Sequence, residues 1–169
     1  MKRWVIALLV IIFLGIGGFW FWQKSFKVKI PSGWQVYQAE KGGFQIAYPA
    51  DWKKEAEEGR VRFFDPTKDF FWFQIWFGPT VAHGEEFGWK KKTEKIKIAG
   101  IPAEKNLLVI DKNLFLEERS EEEYEQVKDN KMIYSLVKRK GQEYWFELVY
   151  QQSEEEELFD QFIQSFRFR

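Results

Sequence analysis

The 169-residue chain has no cysteine, and its one histidine is His83. Without cysteine there is no disulfide framework, thiolate metal site, cysteine nucleophile or haem attachment, and no lipidation through a thiol. One imidazole falls short of the multi-histidine ligand sets that hold most transition metals. Net charge is missing too. The 26 Lys and Arg balance 26 Asp and Glu, which argues against nucleic-acid binding by phosphate neutralisation. The sequence shows no glycine-rich phosphate loop, nucleophile elbow or paired catalytic carboxylates. It therefore reads as a non-enzymatic protein with no cofactor, no metal and no catalytic residues.

What it has in excess is aromatic side chains: 18 Phe, 9 Trp and 6 Tyr. An apolar share of 45% excludes an intrinsically disordered chain.

The run from Trp4 to Trp22 is 19 residues without a charged side chain. As a helix it spans roughly 28 Å, the thickness of a bilayer's hydrocarbon core. Lys2 and Arg3 precede it, Lys24 follows, and Phe19, Trp20, Phe21 and Trp22 sit where an interfacial aromatic belt belongs. The sequence thus predicts a transmembrane anchor over residues 1–22, with the lipid bilayer as partner of residues 4–22. The alternative is a signal peptide with Val5–Leu14 as its apolar region and Gly15 and Gly17 before the cut. Against cleavage, the apolar run continues five residues past Gly17. The basic residues before the run, and the tendency of long domains to be translocated whatever their charge, place the domain outside the cytoplasm in a single-pass arrangement.

Residues 23–33 form a short basic tether ending at the breakers Pro31 and Gly33. Residues 34–169 remain for one domain with one core. Its dominant pattern has period two. Phe44, Ile46 and Tyr48 alternate with smaller or polar residues until Pro49 stops the run. Val61–Phe64 closes at the Asp65-Pro66 turn signal. Phe71–Phe77 is apolar on both faces, which predicts a central strand covered on both sides. Further strands are expected over Glu94–Ile101, broken at Gly100, then over Ala103–Ile110 and Met132–Arg139. Lys140-Gly141 turns the last of these into Tyr144–Tyr150, where Tyr144, Phe146, Leu148 and Tyr150 share one face.

The period then changes. Leu158, Phe159, Phe162, Ile163 and Phe166 form a helical stripe, with Ser153 and Glu156 at capping-box spacing before it. Ser120 and Glu123 mark either a second short helix, to about Lys128, or an excursion loop. The expected class is α+β: about seven mostly antiparallel strands flanked by helices.

Three segments together resemble the Mog1/PsbP-like group. They are Gly43–Trp52 (GFQIAYPADW), Ile98–Ala103 (IAGIPA) and Leu158–Phe168 (LFDQFIQSFRF). The resemblance covers roughly residues 35–169 and implies an antiparallel sheet sandwiched by helices. Photosystem II extrinsic proteins, a partner of a nuclear-transport GTPase and anchored bacterial proteins belong to the group. No residue here matches either characterised function.

His83, beside Glu85 and Glu86, reads as a loop histidine, since no Ser or Cys nucleophile motif accompanies it. The acidic run from Glu117 to Glu125 lacks the spacing of a calcium loop and reads as a solvated face. The aromatics give the candidate binding residues. Trp72 and Trp76 fall on one face of a strand with Gln74 between them, and Trp89 follows a glycine in an expected loop. Two indoles with an amide between them suit a sugar ring if their face is open, and belong to the core if a helix covers it. The reading is a membrane-anchored extracytoplasmic binding or scaffolding domain whose partner is an unidentified protein or a cell-wall glycan. The alternative is a carbohydrate- or peptidoglycan-binding module using exposed aromatics.

Overall fold

Pro49 has no N–H to give to a ladder, and the strand it ends, β2 (Phe44–Pro49), is the middle strand of a small sheet in the computed structural model. The structure describes residues 30–69, 71–81 and 88–169. The expected anchor, most of the tether and His83 therefore lie outside the described residues. No helix among the described residues is long and apolar enough to cross a membrane.

Beside β2 lie β1 (Trp34–Ala39) and the two-residue β10 (Arg167–Phe168), in the order β1-β2-β10. A seven-stranded sheet follows the order β3-β4-β5-β9-β8-β7-β6. Its strands are β3 (Lys53–Glu57), β4 (Arg60–Phe64), β5 (Trp72–Gly78), β6 (Trp89–Ile98), β7 (Ile101–Ile110), β8 (Lys131–Arg139) and β9 (Gln142–Tyr150). All ladders are antiparallel. Two hairpin turns hold two consecutive residues at positive φ, Ala99-Gly100 (48° and 84°) and Lys140-Gly141 (49° and 75°). That pair of angles matches the twist of the flanking strands.

Helix α3 (Glu156–Ser165) and the small sheet together cover one face of the large sheet. Phe162 stacks flat on Phe73 at 4.0 Å and meets Trp34 at 5.1 Å and Trp52 at 5.7 Å. Phe166 packs on Phe44 and Phe146 at 5.2 and 4.8 Å. The Ser165 hydroxyl accepts from the Ala47 amide at 3.0 Å, tying the helix end to β2. Tyr144, Phe146, Leu148 and Tyr150 are all buried on this face, as their alternation predicts.

The helix starts differently from expectation. A 3-10 turn over Ser153–Glu155 precedes it, and Glu155 rather than Glu156 closes the cap. The Glu155 carboxylate accepts from the Gln151 and Gln152 amides at 3.3 and 3.1 Å and also from Lys68 at 2.5 Å. At the other end Arg167 donates to the Gln164 carbonyl at 2.7 Å, satisfying a terminal acceptor.

Two short helices, α1 (Lys112–Phe115) and α2 (Glu121–Val127), join β7 to β8. At α2 the Ser120 cap is reciprocal, Glu123 N–H to Ser120 Oγ at 3.2 Å and Ser120 N–H to the Glu123 carboxylate at 2.9 Å. The helix is therefore realised and the loop alternative is not.

Candidate functional site

Alternation along β5 sends Phe73 and Ile75 into the core and Trp72, Gln74 and Trp76 to the opposite, outer face of the large sheet. The register then decides their neighbours. Arg60, Trp76 and Trp145 stand in one row across β4, β5 and β9. Arg62, Gln74, Glu147 and Tyr134 form the next row, and Phe64, Trp72, Val149 and Met132 the row beyond. Cross-strand neighbours on one face lie within side-chain reach.

The middle row is a hydrogen-bonded ladder. Gln74 Nε2 donates to Glu147 Oε1 at 2.7 Å, and the indole N–H of Trp145 donates to Glu147 Oε2 at 3.1 Å. Further across the sheet, Lys91 donates to the Tyr134 hydroxyl at 2.6 Å and Thr93 to Asn106 at 2.8 Å. Gln74 is 6% exposed, and an amide so buried is tolerable only because its partners are in place.

Of the aromatic rings over this ladder, Trp72, Trp76 and Trp145 are half-buried and Tyr134 is buried, and their faces are engaged. Arg60 lies over Trp76 at 4.8 Å and Arg62 over Trp72 at 5.5 Å. Tyr134 and Trp145 stack at 4.2 Å, nearly parallel at 14°. A groove of about 440 Å³ runs alongside, lined by Trp145, Leu136, Tyr134, Asn106 and Lys91 among others. Each oxygen of Glu147 accepts one of these hydrogen bonds.

Sequence reasoning placed Trp72 and Trp76 together on one face, and the structure does the same. It expected β5 to be covered on both sides. Instead the rings of its outer flank meet arginines from β4, because tryptophan needs only partial cover when a guanidinium stacks on it. Trp89 is corrected as well. It is the first residue of β6, paired with Ile110, and not a loop residue. It sits four strands from β5, roughly 19 Å away at the usual strand spacing. There it lines a separate cavity of about 660 Å³ with Ile110, Phe115 and Val127. Trp145, Arg60, Arg62 and Tyr134 were missed. The signal for Trp145 was present: once Tyr144 and Phe146 face the core, Trp145 and Glu147 must face outward.

Three carboxylates of the acidic run around α2, those of Glu121, Glu123 and Glu125, make local pairs. Glu121 binds Lys112 at 2.5 Å and Glu125 binds Lys128 at 2.6 Å. The Ser120 amide and hydroxyl hold the Glu123 carboxyl below its ordinary range, with help from Arg119. Lys90 and the Leu114 and Asn113 amides do the same for Asp111, which caps α1. A carboxylate with a lowered folded value contributes stability above its ordinary value and loses it as pH falls through the folded one. In an acid titration the Leu114 and Glu123 amide resonances should move with midpoints below the ordinary Asp and Glu values. Midpoints at or above those values would contradict the caps.

No family profile matches the sequence, and no curated protein matches it. Among solved structures the chain is similar to the cyanobacterial PsbP (CyanoP) of Synechocystis, at 13% identity over 85% of this chain and 96% of that one, with a TM-score of 0.55. The fold is PsbP-like. A protein of Bacteroides thetaiotaomicron is similar at the same identity and TM-score, with 81% of this chain and 49% of that chain covered. The present chain thus spans about half the length of that second protein. At 13% identity the likeness is one of architecture. The PsbP-like fold accounts for the antiparallel sheets and few helices, and assigns no residue a role.

Proposed function

We propose that the protein is a non-catalytic, membrane-anchored extracytoplasmic binding domain that docks a protein on the outer face of its large sheet. The observation that carries this is the lattice of Trp72, Trp76 and Trp145, partly exposed and interleaved with Arg60 and Arg62, backed by the buried Tyr134 and a hydrogen-bonded polar ladder. Trp, Tyr and Arg are the side chains that dominate binding energy in protein interfaces. The fitting partner surface offers apolar side chains to the indoles and a carboxylate to Arg62. A sugar needs an open ring face, whereas here Arg60, Arg62 and Tyr134 already lie against the rings. This favours a protein over cell-wall glycan, and favours it with Trp72 and Trp76 as anchors but without Trp89.

The test is a photo-crosslinker at Leu136, used in intact membranes with the full chain. A discrete protein adduct is expected, and Trp145→Ala should weaken its formation about 30-fold, as truncation of a hot-spot aromatic does. An adduct that disappears on digestion of peptidoglycan would instead support the glycan reading. An adduct unchanged by Trp145→Ala and Trp76→Ala would remove the outer face from the function.

Residues 4–22 are proposed to hold the domain at the membrane, on the strength of their uncharged length. Mass spectrometry of membrane-extracted protein should find residues 1–22 still attached. A mature N-terminus near Gly18 would overturn the anchor.

A further inference from the structure

We infer that the pocket between the β1–β2 turn, the β8–β9 turn and β10 binds a phosphate group. Four basic side chains line it, Lys41, Arg139, Lys140 and Arg169, against one acidic side chain, Glu40. Several cations elsewhere, Lys68, Lys105, Lys112, Lys128 and Lys138, have a carboxylate within 4 Å, whereas others such as Lys53, Lys95 and Lys97 stand singly among the described residues. What sets this pocket apart is that its cations converge on one concavity. Arg139, Lys140 and Arg169 have none among the described residues, and Lys41 reaches Glu58 only at 3.9 Å with both side chains almost fully exposed. Like charges gathered in a concavity and outnumbering its single carboxylate repel one another and concentrate anions from solution.

The wall is built before any ligand arrives. The Arg139 guanidinium lies over the Phe168 ring at 4.3 Å, and that ring is packed on Tyr144 and Phe166 at 5.0 and 4.9 Å. The Tyr144 hydroxyl donates to the Gly42 carbonyl at 3.1 Å, and the Arg169 amide to the Gly43 carbonyl at 2.8 Å. A Cβ on Gly42 would come within 2.5 Å of the Phe44 ring, so this approach of the turn requires glycine. Holding the donors in place reduces the ordering cost of binding.

The cavity of about 250 Å³ is smaller than the usual site for a drug-sized ligand. It suits a tetrahedral oxyanion that a guanidinium fork and ammonium groups meet with several charge-assisted hydrogen bonds. Burial holds the Tyr144 phenol above its ordinary value, so it keeps its proton and its bond to the Gly42 carbonyl. The phosphate is either a soluble ester or a lipid headgroup. The site shares no residue with the outer-face lattice, so either assignment can fail alone.

The experiment is calorimetric titration of the full chain in nonionic detergent with three probes at matched ionic strength. These are inorganic phosphate, glycerol 3-phosphate, and dihexanoyl phosphatidylglycerol below its micellar concentration. Binding above a chloride control is expected, and Arg139→Gln should weaken it about tenfold, the scale of a lost charge-assisted bond. Lys140→Gln, at an exposed turn position, should weaken it similarly while leaving the fold intact. Binding of the lipid alone, still weakened by both variants, identifies the headgroup as the source. No heat from any probe, or equal affinity in wild type and both variants, overturns the proposal.

Discussion

Phe162→Ala is expected to lower the unfolding free energy by about 3–5 kcal/mol, which would be the largest loss from a single truncation in the domain. Phe162 is fully buried and belongs to no single layer. Its ring stacks on Phe73 of the large sheet at 4.0 Å and touches Trp34 of the small sheet and Trp52 beyond it. Its neighbours are rigid aromatics on three different elements, so they cannot collapse into the space left behind. The cost should therefore fall near the top of the range, since cavity volume that does not relax adds to the transfer term. Urea titration followed by far-UV circular dichroism measures it. A loss under about 1 kcal/mol would mean that the helix does not bridge the sheets as described.

Removing both Asp160 and Glu156 carboxylates, as Asp160→Asn with Glu156→Gln, is the second large effect. Lys105 sits on the core side of β7, 6% exposed, with its ammonium over Phe159 and 3.1 Å from Asp160. Glu156 is 3.6 Å away. Breaking a fully buried pair costs about 3–5 kcal/mol because the remaining charge is stranded. Here both carboxylates are half exposed, so the double variant should lose about 2–3 kcal/mol. Lys105→Met removes the stranded charge and should stay within about 1 kcal/mol of wild type. If Lys105→Met were the more damaging change, the pair would be supplying net stability, contrary to this account.

Elements with a clear polar and apolar side were legible from sequence. The alternation in β2 and β9 and the stripe of α3 gave their positions and buried faces within a residue or two, whereas the doubly apolar run of β5 gave its position but not its partly open outer face. The strand β3 was not legible, because all five of its residues are exposed and it is held as an edge by β4 alone. The first half of β6 was hidden for the same reason. Its Trp89-Lys90-Lys91-Lys92 reads as a loop until pairing with Ile110–Leu107 is known. Lysines along an edge strand also blunt pairing with other chains. The site was half legible. Parity put Trp72 and Trp76 on one face, but Arg60, Arg62 and Trp145 join them through register, which no single strand encodes.

The bond between Ser165 and Ala47 spans 118 residues of chain, and β10 pairs with β2 across a similar separation. During synthesis β2 leaves the ribosome long before the helix that covers it. The core face of the large sheet therefore stays open until residues 156–168 have been made. Closing is then set by non-local contacts, which slow folding relative to a chain of the same length held by local ones.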